Sequence, residues 1–560
     1  MMKKNYFGKI FAIATVFAGL SLTSCNKNDN AIINGQVFEP SNFELVEGGA
    51  VINANTPSEV SRMVTRLRQE ILKAAENKET FTININAAAL NATAGDNTLS
   101  FLTVRNGDLV VNFNGTITTD EPLVLESKGL DENQGSYGTA INKVAFNFPA
   151  GTSNIDLNVN MPKSSVTIKP TSGSLGINEL SAKTAFTTLY LESGITVNCL
   201  HLEGGNVVIK NGAKINSVAS PYLSVYPEGI TFKSWQGDYY DDEKQQWVNI
   251  YNPLLVKDSV RTSTEYTDAD YYYVKSAKNI KREDGGLGYV DIYGTDKETD
   301  TEVDITISDG AKVQVNSPWA DYCAAVNITG EGNAKIMASG YKDGDGKYKP
   351  YGTPSLNAVK KLTNVTVDAV NVLIRNNETQ EYEEKEMEEG VADIDIHLPL
   401  NAENCEFITI DRVEYTDPFW YNSRFIKDNV VTSTFKDCKI TLKAKDTKGQ
   451  FRVNFPAQTE KRTSFKLNFE TCELNNIKFG TSFDGNWEDY DGFKSYIVFD
   501  STKLDGKAIT KDTDMISYVN IAGKWEDDKW VETTETFFTI DGVNYKPVYK
   551  DEKWILEAVK

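Results

Sequence analysis

Three six-residue blocks near the carboxyl end of the chain share one pattern, with an aromatic residue first, a small residue fourth and an aliphatic residue sixth. They begin at Phe435, Phe469 and Phe499, which is a spacing of 34 and then 30 residues. Two earlier blocks, 362–367 and 402–407, fit the same frame with an apolar residue at each end. Self-similarity at such a period is typical of proteins that stack one structural unit on the next. The repeat therefore predicts a solenoid.

The fourth position of the frame explains three of the cysteines. Cys405, Cys438 and Cys472 occupy it in three blocks, and Val365 and Thr502 occupy it in the other two. Regularly spaced cysteines can indicate metal or redox chemistry, but valine and threonine supply neither. The position is better interpreted as a column of small buried side chains, because free cysteine behaves in a core as a small apolar residue.

Short segments of alternating apolar and polar residues follow one another from Thr80 onward, separated by Gly, Asn and Asp. This alternation turns one face of a strand inward and the other outward. Examples are the segments 81–85, 109–113, 123–125, 155–159, 166–168 and 189–191. The chain is therefore predicted to be all-β.

Three strands of about five residues and three short turns need roughly 20 to 25 residues, so the longer observed period leaves room for one protruding loop per coil. The blocks, with Asn or Asp before a small residue, resemble the coils of right-handed parallel β-helix proteins of the pectate-lyase-like type. The resemblance implies a β-helix within residues 56–510. Asn211-Gly212 and Asp309-Gly310 are, by contrast, typical of hairpin turns. Tandem β-sandwiches are therefore the alternative.

The amino-terminal residues have the order of an export signal. Three lysines precede the apolar run 10–20, which is too short to span a bilayer. Leu22-Thr-Ser-Cys25 follows it and resembles the lipobox of bacterial lipoproteins, and the polar residues after it are similar to the tethers of Bacteroidota surface lipoproteins. The resemblance implies that Cys25 carries the lipid, with palmitate among its acyl chains. It also implies an outer-membrane lipoprotein that faces the periplasm or the cell surface.

One amphipathic helix is predicted near the start of the mature chain. Thr56 suits the N-cap, Pro57 the first turn and Glu59 the third position of a capping box. We expect this helix to cover the open end of the solenoid. The predicted organisation is a signal peptide at 1–24, a tether and first strand at 25–55, a helical cap at 56–78, a β-helix at 79–510 with loop insertions near 220–290 and 376–390, and a β-meander at 511–560.

Charge and cysteine content exclude several classes of protein. The formal net charge is −21, and loss of a leader with three lysines and no acid would make it −24. Such a surface repels nucleic acid, so we expect no nucleic-acid partner. Besides Cys25 there are five widely spaced cysteines, and this odd number argues against a disulfide framework. The sequence has no cofactor fingerprint. It predicts nothing about oligomeric state.

Two histidines leave little material for acid–base catalysis. His201 reads as a surface residue, whereas His397 alternates with Asp393 and Asp395 on one face of a predicted strand. Such a row could bind a metal ion or a sugar, or serve a polysaccharide lyase or hydrolase. A plain solvated strand is the simpler interpretation.

Calcium is a minor expectation at Asp343-Gly-Asp-Gly346, which begins like a calcium-binding loop. It lacks the carboxylate that closes such a loop at its twelfth position.

Aromatic residues beside carboxylates suggest sugar binding, since aromatic rings stack on sugar rings. The candidate ligand contacts are Trp235, Tyr239, Tyr240, Trp420, Tyr421, Trp487 and Tyr490. We therefore expect a lipid-anchored, non-catalytic envelope protein that binds or is displayed toward glycan or a host surface. The alternatives are a polysaccharide lyase or glycoside hydrolase of β-helix fold, and a structural adhesin or assembly subunit.

Overall fold

A computed structural model describes most of the chain. The described residues are 32–33, 36–37, 42–104, 107–129, 142–182, 187–202, 206–226, 229–241, 246–253, 274–282, 284–293, 302–317, 325–387, 393–396, 399–415, 430–445, 447–455, 464–483, 494–520, 522–526, 529–533 and 536–559. Within these ranges the chain is β-structure apart from two α-helices and one short 3-10 helix, Met515–Tyr518. Neither of these α-helices has the length and apolarity needed to span a membrane.

The predicted helix is present as two helices, Pro57–Arg66 and Arg68–Asn77, with a break at Leu67. The hydroxyl of Thr56 accepts a hydrogen bond from the amide of Glu59 (3.4 Å), as expected of an N-cap. The apolar faces of both helices join the main core, through Val60, Met63, Val64, Leu67, Ile71 and Ala74.

Four sheets contain most of the strands. Sheet I comprises Thr98–Thr103, Leu123–Gly129, Ile155–Asn160, Leu175–Ala182, Ile195–Leu202, Lys214–Ile215, Val218–Ala219, Ser276–Ile280, Glu302–Ile307, Ala325–Gly330, Val359–Thr363, Asn401–Glu403, Val430–Lys436, Ser464–Glu470, Ser495–Asp500, Thr536–Ile540, Val543–Lys550 and Lys553–Ala558. Sheet II comprises Phe43–Val46, Gly49–Asn53, Thr80–Ala92, Asp108–Thr119, Asn142–Phe148, Ser164–Pro170, Thr188–Leu191 and Asn206–Ile209.

Sheet III comprises Tyr222–Tyr226, Gly229–Asp241, Gln246–Pro253, Gly288–Ile292, Lys312–Asn316, Lys335–Lys342, Tyr348–Pro350, Thr366–Arg375, Tyr382–Glu386, Glu406–Thr409, Lys439–Leu442, Glu473–Asn475, Lys503–Leu504 and Lys507–Ala508. Sheet IV comprises Ile394–Ile396, Arg412–Tyr415, Gly449–Phe455 and Ile477–Phe483. Two small hairpins pair Ile32–Ile33 with Gln36–Val37 and Ala522–Glu526 with Lys529–Thr533.

Most neighbouring strands in these sheets run parallel, which confirms the prediction of an all-β chain with long parallel sheets. In the last third of the chain, residues 401–483, each passage visits sheets I, III and IV in that order, and we call one such passage a coil. The pairing is parallel between successive coils, as between Val430–Lys436 and Ser464–Glu470. Tandem β-sandwiches are wrong for this chain, because sandwiches are built from antiparallel sheets.

The repeated blocks coincide with the junction of sheets I and III. Phe435, Phe469 and Phe499 stand in one register, with ring centroids 5.2 Å and 6.1 Å apart in stacked pairs. Four of the small residues of the frame belong to one apolar core that extends from Ala50 to Ile540, and the fifth, Thr502, is also buried. Each of these residues follows a residue with φ between 49° and 55°, at Asn364, Asn404, Asp437, Thr471 and Ser501. Asn and Asp tolerate this left-handed conformation better than most residues, which explains their place in the frame.

The two insertions contain strands rather than loops alone. Gly229–Asp241 and Gln246–Pro253 form an antiparallel hairpin within the first insertion. In the second, Tyr382–Glu386 folds back antiparallel onto Thr366–Arg375. Glu384 then contacts Lys335 (2.6 Å) and lies 3.4 Å from Lys312. The acidic run is therefore tied to sheet III by opposite charge.

The carboxyl end is antiparallel. Thr536–Ile540 adds to sheet I in parallel with Ser495–Asp500, and the next two strands, Val543–Lys550 and Lys553–Ala558, return as an antiparallel meander. The first turn is Asp541-Gly542, with φ of 50° and 75°. These positive angles suit the tight hairpin turn that the dipeptide favours.

Candidate functional site

For most of the predicted site residues, the structure describes no side chain. Cys25, His397, Trp420, Tyr421, Trp487 and Tyr490 lie outside the described residues. Trp235, Tyr239 and Tyr240 lie on the described strand Gly229–Asp241, but only its backbone is described. Lipidation at Cys25 and ligand binding at these aromatic residues stay predictions.

Asp393 does not face solvent as the predicted row requires. It is 6% exposed, and the Nε of Arg412 donates to its Oδ2 over 2.7 Å. The two residues lie side by side because Ile394 pairs in register with Val413 on the next strand of sheet IV. Asp395 is half-buried on the same strand. No group of three or more potential metal ligands occurs among the described residues. The Asp393 carboxylate is thus engaged in an ion pair.

The candidate calcium loop is a hairpin turn whose carboxylate is already engaged. Asp343 accepts hydrogen bonds from the amides of Asp345 (3.0 Å) and Lys347 (2.9 Å), and its other oxygen contacts the ammonium of Lys349 (2.9 Å). The hydrogen bond from Lys349, followed by that from the Lys347 amide, lowers the pKa of Asp343. These contacts make the turn rigid without a cation.

This hairpin carries a pair of exposed tyrosines. Tyr341 pairs in register with Lys349, and the amide of Tyr351 donates to the carbonyl of Ser339 (2.8 Å). The ring centroids of Tyr341 and Tyr351 are 4.7 Å apart with a 34° tilt. Tyr351 is 65% exposed, more than any other large apolar residue described, and Tyr341 is 36% exposed. The pair presents aromatic surface to solvent on a braced support.

Polar side chains continue from the tyrosine pair across sheet III. The main-chain amide of Ser339, which lies opposite Tyr351, donates a hydrogen bond to the side-chain amide oxygen of Gln314 (3.3 Å). Gln314 in turn donates to Asn316 (2.7 Å), and Asn316 donates to Asp291 (2.9 Å). We call these residues together, with the two tyrosines, the Tyr341–Tyr351 site. It places hydrogen-bonding groups beside exposed rings.

Other tyrosines of sheet III pack instead of facing solvent. Tyr222 and Tyr289 stack with centroids 5.3 Å apart, and Arg282 donates to the hydroxyl of Tyr222 (3.0 Å) while pairing with Asp284 (2.6 Å). Burial raises the pKa of Tyr222, and the nearby Arg282 offsets only part of that effect. Tyr289 and Tyr382 cover a small apolar cluster of Leu287, Met337 and Leu373. This cluster supports the sheet rather than offering a ligand surface.

A shallow polar groove of about 460 Å³ follows the junction of sheets I and III. Its charged lining residues are Glu406, Asp437, Lys439 and Glu473, which is three carboxylates against one ammonium. Glu406 and Lys439 pair at 2.7 Å. The net negative charge of this groove would repel polyanions.

Sequence reasoning missed the Tyr341–Tyr351 site because neither tyrosine lies in an aromatic cluster along the chain. The usable signal was the Asp343-Gly-Asp-Gly346 step, since a hairpin turn there brings the residues on either side together. The chain matches no known family model, no curated protein and no solved structure. Its function therefore has to be argued from its own residues.

Proposed function

We propose that this chain is a lipid-anchored outer-membrane protein whose ectodomain is a right-handed parallel β-helix that binds neutral glycan without cleaving it. The proposed helix is supported by the repeated order of sheets I, III and IV and by the parallel register between coils. A cap of two helices at one end and a meander at the other would shield the ends of the sheets from edge pairing. Their proposed roles are supported by the helical apolar faces within the main core.

The exposed pair Tyr341 and Tyr351 is the observation that carries glycan binding. An aromatic face in water offers apolar area and a π-surface, and the C–H face of a sugar ring is complementary to it. The half-buried residues Ser339, Asn316 and Asp291, which the buried Gln314 connects, supply donors and acceptors for ring hydroxyls. A braced hairpin loses little conformational entropy when a ligand binds, so the rings are preorganised. Neutral sugars fit better than acidic ones because the chain carries a net charge of −21.

Cleavage of polysaccharide at Asp393, Asp395 and His397 is the enzymatic alternative. An acid–base role for Asp393 would require breaking its contact with Arg412, since the carboxylate is buried against that guanidinium. The contact therefore counts against catalysis by this aspartate. It leaves binding as the better supported function.

The test is a glycan-array and titration screen of the full-length protein and three variants. We expect neutral glycans to bind, Tyr351→Ala to weaken binding at least about tenfold, and Tyr351→Phe to retain most of it. Tyr549→Ala is the matched control, because Tyr549 is another highly exposed tyrosine, 59% exposed, beside Trp554. Equal affinities for Tyr351→Ala and Tyr549→Ala, or no binding of any glycan by the native protein, would overturn the proposal.

A further inference from the structure

Cys199 differs from the cysteines of the repeat because it lies outside the main apolar core. It is 6% exposed, yet it is absent from the core cluster that contains Leu200 and Leu202 on the same strand. His201, two residues later, points to the same side, and its Nε2 lies 3.5 Å from the Cys199 sulfur. A thiol and an imidazole at this distance form the pair that activates cysteine as a nucleophile.

A carboxylate on the neighbouring strand completes the arrangement. Glu179 pairs in register with Cys199, and its Oε1 lies 3.2 Å from the His201 Nε2. The negative charge of Glu179 favours the imidazolium form of His201, and the imidazolium in turn favours the thiolate. His201 and Glu179 are 26% and 49% exposed as side chains, so the pair is in contact with solvent.

Further donors surround the sulfur. The side-chain amide of Asn279, on the strand of sheet I that lies beyond Val218–Ala219, donates to the Cys199 sulfur over 3.8 Å. Ser217 also acts on the sulfur through a side-chain hydrogen bond, and Lys278 acts on it through its positive charge. Burial opposes ionisation of Cys199, but His201, Ser217 and Lys278 outweigh burial and lower the pKa of the thiol. Glu179 is the carboxylate that faces Cys199 and His201, and it acts on the thiol through His201.

We infer that Cys199 is a reactive thiol site that forms a mixed disulfide with a disulfide-containing small molecule or peptide. The Cys199 thiolate attacks one sulfur of the incoming disulfide, a new S–S bond forms and the old one breaks. The departing thiolate takes the proton from the His201 imidazolium. Electrons balance without an added oxidant, because the incoming disulfide is reduced as Cys199 is oxidised.

The buried cysteines of the repeat provide an internal comparison. Cys405, Cys438 and Cys472 are 1% to 3% exposed and donate to main-chain carbonyls. No histidine or lysine side chain is hydrogen-bonded to their sulfurs among the contacts of the described residues. Among the four cysteines that the structure describes, Cys199 is therefore the one whose thiol a histidine can activate.

The first experiment measures alkylation of the native full-length protein by iodoacetamide from pH 5 to pH 10, with peptide mapping by mass spectrometry. Cys199 should react with a midpoint below the value of about 8.5 for a free thiol. The cysteines of the repeat should react only after unfolding. His201→Gln should move the Cys199 midpoint upward and slow the reaction at pH 7. Thr196→Ala, on the same strand, is the matched control and should change neither.

The second experiment incubates the protein with oxidised glutathione and follows intact mass. We expect glutathione on Cys199, located by peptide mapping, removed by dithiothreitol and formed more slowly in Glu179→Gln. Circular dichroism of each variant shows whether it is folded, and Glu179→Gln serves if His201→Gln is not. The inference is overturned if Cys199 alkylates no faster than Cys438, or if the pH midpoint is the same in the folded variants.

Discussion

The amide of Cys472 donates a hydrogen bond to the hydroxyl of Thr502, one coil further on, over 3.2 Å. The side chains of Cys472 and Thr502 each donate a hydrogen bond to a main-chain carbonyl. The Cys472 thiol donates to the carbonyl of Phe435 (3.2 Å), and the Thr502 hydroxyl donates to the equivalent carbonyl of Phe469 (2.8 Å). The hydrogen bond between the Cys472 and Cys438 thiols, followed by burial, raises the pKa of Cys472, which keeps it a protonated donor. In the blocks with cysteine or threonine, the fourth position of the frame thus holds a small side chain that donates to a carbonyl of the preceding coil.

Exchange of Cys472 for threonine should therefore be nearly neutral. We expect Cys472→Thr to change the free energy of unfolding by less than about 1 kcal/mol, because the hydroxyl can make the same hydrogen bond. Cys472→Leu should destabilise by about 1 to 3 kcal/mol, because the column has no room for the larger side chain. Urea unfolding followed by circular dichroism measures both. A threonine variant as unstable as the leucine variant would contradict this account.

The contact between Asp393 and Arg412 should be costly to break from one side. Arg412→Ala leaves the carboxylate of Asp393, whose side chain is 8% exposed, without that guanidinium, and we expect a loss of about 3 kcal/mol. Asp393→Ala should cost less, because the Arg412 side chain is 31% exposed. The double variant with Arg412→Ala should lose less than the sum of the single variants, which a double-mutant cycle measures. Lys436→Ala is the control, because its contact with Glu403 (2.9 Å) is exposed and should contribute little to stability. Additive losses at Asp393 and Arg412 would refute the coupling.

The acidic hairpin should detach from sheet III in acid. Burial would raise the pKa of Glu384, but the hydrogen bond and charge of Lys335, with Lys312, outweigh burial and hold the pKa below its usual value. A group with a depressed folded pKa stabilises the fold above its unfolded pKa, here about 4.3, and the stabilisation is lost as pH falls through the folded value. The protection factors of the amides in Tyr382–Glu386, which correct for the pH dependence of intrinsic exchange, should therefore fall below about pH 4.

The control for the acidic hairpin keeps the hairpin and removes the charge. In Glu384→Gln the protection factors of Tyr382–Glu386 should already be low at pH 7 and should change little with pH. Glu381→Gln, at an exposed position of the same hairpin, should behave as the native chain does. Unchanged protection factors between pH 7 and pH 3 in the native protein would show that charge does not hold this strand.

Backbone strain at one position of the frame should be removable. Thr471 has a φ of 53°, where a β-branched residue is strained and asparagine is tolerated. We expect Thr471→Asn to raise the unfolding free energy by about 1 kcal/mol, because relief of strain outweighs the lost hydroxyl contact with Asp437. Thr432→Asn, at an exposed strand position, should instead be neutral or slightly destabilising. The urea midpoints of the two variants decide the matter.

Part of this structure could be predicted from the sequence, because its strands recur at a regular spacing. The alternation of the strands and the repeated frame predicted parallel stacking and the buried column of Cys405, Cys438 and Cys472, since both depend on local pattern. The acidic run at 376–390 was predicted to be an exposed loop because of its many charges. It contains a strand whose carboxylates contact lysine side chains of other strands. His201 was read as a surface residue, because the sequence does not tell which strand lies beside it.

By itself the sequence determined that this chain is all-β, that its strands recur in a frame, and that the small residues of the frame are buried. These properties depend on residues close together along the chain. Only the tertiary structure decided that Tyr341 faces Tyr351, that Asp393 meets Arg412, and that Asn279 reaches Cys199 from 80 residues away. In stacked parallel strands the partner of a residue is set by the length of the intervening loops, and no local pattern encodes that length.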